Sequence, residues 1–191
     1  MSDEVFEKLC AMDKRRIELQ IVLQCAPTLA GMKTSNLLIV PKNQEDKVRF
    51  VLRHSGFLGY RLVEDGNRVV FLIFDRDKLT NYLSSPEVKA FLMKYGYEAD
   101  SFGKCLRFFK DRYASYISKR DDFPHEMGVF LGYPLGDVVG FIEHQGEDFS
   151  LSGYWKVYEN AEQARVLFEM FDKVKDEMIL NLYNNTKENY L

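Results

Sequence analysis

The stretch Gly59-Tyr60-Arg61-Leu62-Val63-Glu64-Asp65-Gly66-Asn67-Arg68-Val69-Val70-Phe71-Leu72-Ile73-Phe74 decides the fold. It reads as two β segments, Gly59–Glu64 and Arg68–Phe74, joined by Asp65-Gly66-Asn67. That link is rich in turn residues and suits a hairpin. The second segment runs through six apolar residues without alternating, the look of a strand covered on both faces. The short apolar run Leu37–Val40, closed by Pro41, reads as a further buried strand.

Helices lie on either side. Val5, Leu9, Met12, Leu19 and Leu23 recur at helical spacing over residues 4–24, broken only near Arg16, and Pro27 predicts a stop near Cys25. Residues 43–54 read as a helix closed by Gly56, with Val48, Val51 and Leu52 inward. Residues 77–119 read as three helical pieces, one capped by Ser85 ahead of Pro86. Short helices follow at Pro124 and Pro134. Tyr154–Tyr158 reads as a strand, and a last helix begins at Asn160, with Gln163 completing a capping box. The tail is expected to fray from about residue 184. The pattern predicts an α+β fold in a single domain, residues 1–191, with a small, mostly antiparallel sheet of about four strands covered by helices.

Composition narrows the function classes. The 191 residues carry a net charge of −3, and the basic run Lys14-Arg15-Arg16 is flanked by Asp13 and Glu18 on a predicted helix. A nucleic-acid binder shows a clustered basic face, and none is legible, so no nucleic-acid partner is expected. Cys10, Cys25 and Cys105 form no CxxC pair and are odd in number. That predicts neither a disulfide framework nor a zinc site. The polar start Met1-Ser2-Asp3-Glu4 is unlike a signal peptide, and the run Val69–Phe74 is too short to span a bilayer. The expectation is a cytoplasmic protein with reduced thiols, off the membrane. No glycine-rich phosphate loop follows a strand. Gly128 and Gly132, and Gly136 and Gly140, read as close-packing positions.

Three stretches stand apart from core periodicity: Cys25–Thr34, Phe123–Pro134 and Gly153–Tyr158. Cys25 is a candidate nucleophile, although the C-terminal end of its own helix disfavours a thiolate. His125 is a candidate base and Glu126 its orienter, both in the first turn of a predicted helix. Lys33 with Thr28 and Thr34 could hold an anion. Alternation places Tyr154 and Tyr158 on one strand face with Lys156, and Trp155 in the core. With Tyr133 these tyrosines are candidate ligand-binding residues.

The same stretches resemble the signature of an uncharacterised bacterial family, domain of unknown function 3793. Its members share a Cys-Ala-Pro-Thr-Leu-Ala-Gly-x-Lys segment, here Cys25–Lys33, and a Phe-Pro-His-Glu-x-Gly-x-Phe-Leu-Gly-Tyr-Pro segment, here Phe123–Pro134. They also share Gly-Tyr-Trp-Lys-Val-Tyr, here Gly153–Tyr158. The residue before the cysteine is often His in that family; here it is Gln24, which weakens any mechanism needing a His-Cys neighbour pair. The resemblance implies no activity and no cofactor.

Three functions remain. The first expectation is a small-ligand or cofactor-binding module, with its site formed by segments 25–34 and 123–134. The alternatives are a thiol-dependent enzyme using Cys25 with His125, and a protein-interaction or regulatory domain. Cofactor and oligomeric state stay open.

Overall fold

The computed structural model describes residues 2–188. Its centre is the predicted hairpin. β2 (Leu58–Asp65) and β3 (Arg68–Phe74) pair antiparallel, and Gly66 turns the chain at φ +58°, where a side chain would be strained. A bulge between Arg61 and Val63 leaves Leu62 an extra residue on β2. β1 (Ser35–Pro41) pairs with the other edge of β3, also antiparallel, giving the order β1-β3-β2.

The unalternating run of β3 follows from this position. Val70, Leu72 and Phe74 enter one core, while Val69, Phe71 and Ile73 enter another on the opposite face. Each face is closed by helices. α2 (Ile17–Leu29) and α3 (Glu45–Arg53) cover the second face through Ile17, Ile21, Cys25, Val48 and Leu52. The first face lies under α4 (Arg76–Leu83), α5 (Pro86–Lys94), α6 (Phe102–Ile117), α7 (Met127–Phe130) and α8 (Leu135–Glu143). The final helix, α9 (Ala161–Glu188), lies beside α2 and α1 (Asp3–Ala11). The fold is α+β, as the pattern predicts.

Several local expectations are corrected. Residues 4–24 form two helices, α1 and α2. Between them the Asp13 carboxylate accepts from the backbone N–H of Arg15 at 3.0 Å, a local bond that competes with helix. Helix α2 does not stop before Pro27 but runs through it to Leu29. The end is set by Gly31 at φ +71°: the N–H of Gly31 bonds to Thr28 O and that of Met32 to Pro27 O. This closure satisfies the last carbonyls, and it outweighs the missing proline N–H.

The sheet has three strands, not four. Tyr154–Tyr158 contributes only β5 (Lys156–Val157), paired with β4 (Leu151–Ser152) in a separate ribbon. Asn160 sits at φ +53° and offers its carbonyl to Ala164 N–H, a geometry unlike the extended N-cap of a capping box. Helix α9 continues past residue 184 to Glu188, and the remaining tail, 189–191, lies outside the described residues.

Candidate functional site

The segment Phe123–Pro134 folds as a turn and a short helix with a tight exit. Met127 N–H returns to Pro124 O at 2.8 Å, which starts α7. Gly132, at φ +70°, ends it as Gly31 ends α2: Gly132 N–H bonds to Val129 O, and Tyr133 N–H to Gly128 O. A methyl on Gly128 would sit 2.7 Å from Val138 Cγ2, so glycine lets α7 lie close on α8.

Glu126 is fully buried and points toward α6. Its Oε1 accepts from Arg112 Nε at 2.6 Å and from the Tyr97 hydroxyl at 3.0 Å. Burial and the Glu126 carboxylate push the Tyr97 phenol up, so it remains a donor. Glu126 therefore ties the turn to α6. The neighbouring His125 is exposed and lies between two rings, 5.3 Å from Phe123 and 5.6 Å from Phe141 by centroid.

Between α7, α8 and β5 lies a hollow of about 190 Å³, largely apolar. Phe123, His125, Met127, Tyr133, Phe141 and Trp155 form much of its wall, and Asp137 and Lys156 also line it. Trp155 stacks on Tyr133 (5.0 Å, 28°) and meets Phe168 of α9 edge-on (4.6 Å, 89°). Its indole N–H donates to Asp137 Oδ2 at 2.7 Å. The other oxygen, Oδ1, accepts from the backbone N–H groups of Tyr158 (2.8 Å) and Glu159 (3.1 Å). Asp137 thus fixes the indole and the strand that carries it. Lys156 Nζ donates to Gly146 O and lies over the rings of Phe149 (4.6 Å) and Phe141 (5.9 Å).

The segment Cys25–Thr34 reaches this region only at its end. Lys33 is buried, its ammonium 4.9 Å from the Tyr133 ring centroid. The Ser35 hydroxyl donates to Phe130 O. Thr34 lies against Gly132, where a Cβ would collide with it, and its own hydroxyl is buried without a partner. Cys25 lies elsewhere, in the core behind the sheet with Ile17, Ile21 and Leu38. Its thiol is fully buried, 3.7 Å from Leu37 O, and burial pushes its pKa up to about 12. Thr28 is buried and spends its hydroxyl on Asn36 Oδ1 at 2.7 Å.

The two tyrosines expected to share a face diverge, because only two residues between them are strand. Tyr154 turns to α9, donating to Asp172 Oδ1 at 2.9 Å and accepting from Lys175 Nζ. Tyr158 stacks on His144 (5.5 Å, 22°). Of the sequence candidates, His125 and Tyr133 line the hollow and Lys33 touches it through Tyr133. Cys25, Thr28, Glu126, Tyr154 and Tyr158 do not line it. Asp137 and Phe141 are wall residues that sequence reasoning did not single out, and Lys156, read there only as a neighbour of Tyr154 and Tyr158, is a third wall residue. The one available signal was the single charge, Asp137, inside the otherwise uncharged helical run Leu135–Ile142. No helix among the described residues is long and apolar enough to cross a membrane.

Residues 21–191 match the family described as Protein of unknown function (DUF3793), so the chain belongs to that family. No curated protein and no solved structure matches it.

Proposed function

We propose that this member of the DUF3793 family is a small-ligand-binding module, whose site is the hollow between α7, α8 and β5. One observation carries the reading. The wall is a set of aromatic rings already held in place, with Trp155 pinned by Asp137 and stacked on Tyr133. Rings fixed before the ligand arrives lower the cost of ordering on binding. Size sets the ligand class: a protein cavity of about 150 Å³ takes one benzene ring. A hollow of about 190 Å³ therefore has room for a single ring with a small substituent. Burial pushes the Tyr133 phenol up, so it presents a neutral hydroxyl.

The thiol-enzyme reading gains no support. A nucleophilic cysteine needs exposure and a depressed pKa, and Cys25 has neither.

The test uses a built-in reporter. Trp155 is the chain's single tryptophan and forms part of the wall. Titration with single-ring compounds is expected to change its emission saturably and to raise Tm. A ligand at 100 times its Kd adds about 2.7 kcal/mol. Met127→Trp in a Trp155→Phe background should fill the space and abolish the Tm gain. Flat emission and unchanged Tm across a panel of such compounds would overturn the reading.

A further inference from the structure

We propose that the ligand of the hollow is an anion, a single-ring carboxylate whose charged end is received by Lys156, which lies against the Phe141 ring as His125 does. This rests on the binding reading above. Lys42, Lys89, Lys104 and Lys175 each hold a carboxylate, from Glu64, Asp100, Glu98 and Asp172. Lys156 is partly buried and has no such partner among the described residues. Its ammonium meets one carbonyl, Gly146 O, and two ring faces. An ammonium carries three donors, and one carbonyl uses one of them. Ring faces attract the charge but accept no strong hydrogen bond, so donor capacity is left at the edge of an apolar space.

The carboxylate that would oppose an anion there is Asp137. It is turned away from this role by its bonds, with Oδ2 on the Trp155 indole and Oδ1 on two backbone N–H groups. Asp148, on the same loop as Gly146, faces His144 at 3.6 Å. A second ammonium without a carboxylate partner, Lys33, sits on the Tyr133 ring. The rings of the wall are therefore backed by two positive charges, and His125 adds a hydrogen-bonding edge at the opening. An apolar body with one anionic end fits that arrangement. A neutral amide of the same shape could accept a hydrogen bond from Lys156 but would leave its charge without a counter-charge.

The experiment compares benzoate and phenylacetate with their neutral isosteres, benzamide and phenylacetamide, on the full chain, reading Trp155 emission and Tm. The expected result is at least about tenfold tighter binding of the carboxylates, since bonds to charged groups are the stronger ones. Lys156→Met should remove this preference, bringing acid and amide affinities together, and its ligand-free Tm and Trp155 emission maximum show whether the variant is folded. Lys156→Arg should restore it. Equal binding of acids and amides by the wild-type chain overturns the anion proposal while the binding reading stands. A carboxylate preference that survives in Lys156→Met overturns the role of Lys156. Binding of neither class overturns both.

Discussion

Three charged side chains are buried among the described residues: Lys33, Glu126 and Asp137. The two carboxylates are hydrogen-bonded, whereas the Lys33 ammonium lies over the face of the Tyr133 ring and has no carboxylate partner among the described residues. Burial lowers the Lys33 pKa from 10.5 to about 8, with the Cys25 thiol a small opposing influence. Its folded pKa is therefore below its unfolded one. Between about pH 8 and 10.5 the unfolded chain binds more protons, so this residue makes stability rise with pH. Below pH 8 the charge is buried and its cost, up to about 3 kcal/mol, is present in full. Cys25 has the opposite sign. Its pKa is raised from 9.0 to about 12, so its contribution falls as pH climbs above 9. Burial raises Cys105 in the same direction. The wild-type chain should gain stability from pH 8 to 9 and then level off. Lys33→Met should be more stable at pH 7 and lack the rise. Urea unfolding at half-unit steps of pH reads both, and parallel curves for the two chains would refute the assignment.

At the scale of elements, α7 and α8 are placed by one ion pair and by glycines. Arg112→Met would leave Glu126 buried without a cation, at a cost of about 3–5 kcal/mol. Adding Glu126→Gln should recover much of it, because an amide oxygen still accepts from Tyr97 and carries no charge. A double variant no more stable than Arg112→Met would show that packing of the arginine, not the charge, holds the turn. Gly140 and Gly103 form a matched pair. A methyl on Gly140 would lie 2.5 Å from Tyr158 Cγ, while one on Gly103 in α6 meets nothing within 4 Å. Alanine favours helix over glycine by about 1 kcal/mol. Gly103→Ala should therefore raise Tm slightly, and Gly140→Ala should lower it despite the same propensity gain.

The same elements show what the sequence makes legible. The hairpin and the double-faced β3 are readable because apolar runs and Asp65-Gly66 act locally. Pro27 alone predicts an exit of α2 near Cys25, while the residue that decides the end is Gly31, four residues on. The ribbon at Tyr154–Tyr158 was read as a longer strand, since alternation cannot show that only Lys156 and Val157 find partners. The site was half legible. Segment 123–134 does carry the wall, yet α8 supplies Asp137 and Phe141, and only tertiary packing turns them to the same space.

On the scale of the molecule, α9 runs through two hydrophobic clusters. Its first half carries Phe168 and Phe171, which back Trp155, and its second half carries Ile179, packed with Val5, Leu19 and Val22. The hollow itself is built entirely from residues between Phe123 and Lys156. Helix α1 lies outside the stretch matched to the family and enters only the second region. Removing residues 1–14 takes away buried Val5 and partly buried Leu9 and Met12. At about 1.5–3 kcal/mol for a fully buried side chain of this kind, the loss should be about 3–5 kcal/mol of stability. Trp155 should be unaffected if α9 transmits no change along its length, because the Phe168 contact and the Asp137 bond lie in its first half. The truncated chain is therefore expected to unfold at lower urea while keeping the native emission maximum and the native response to benzoate. A shifted emission at zero denaturant would mean that the two ends of α9 move together, and that the hollow depends on a helix it never touches.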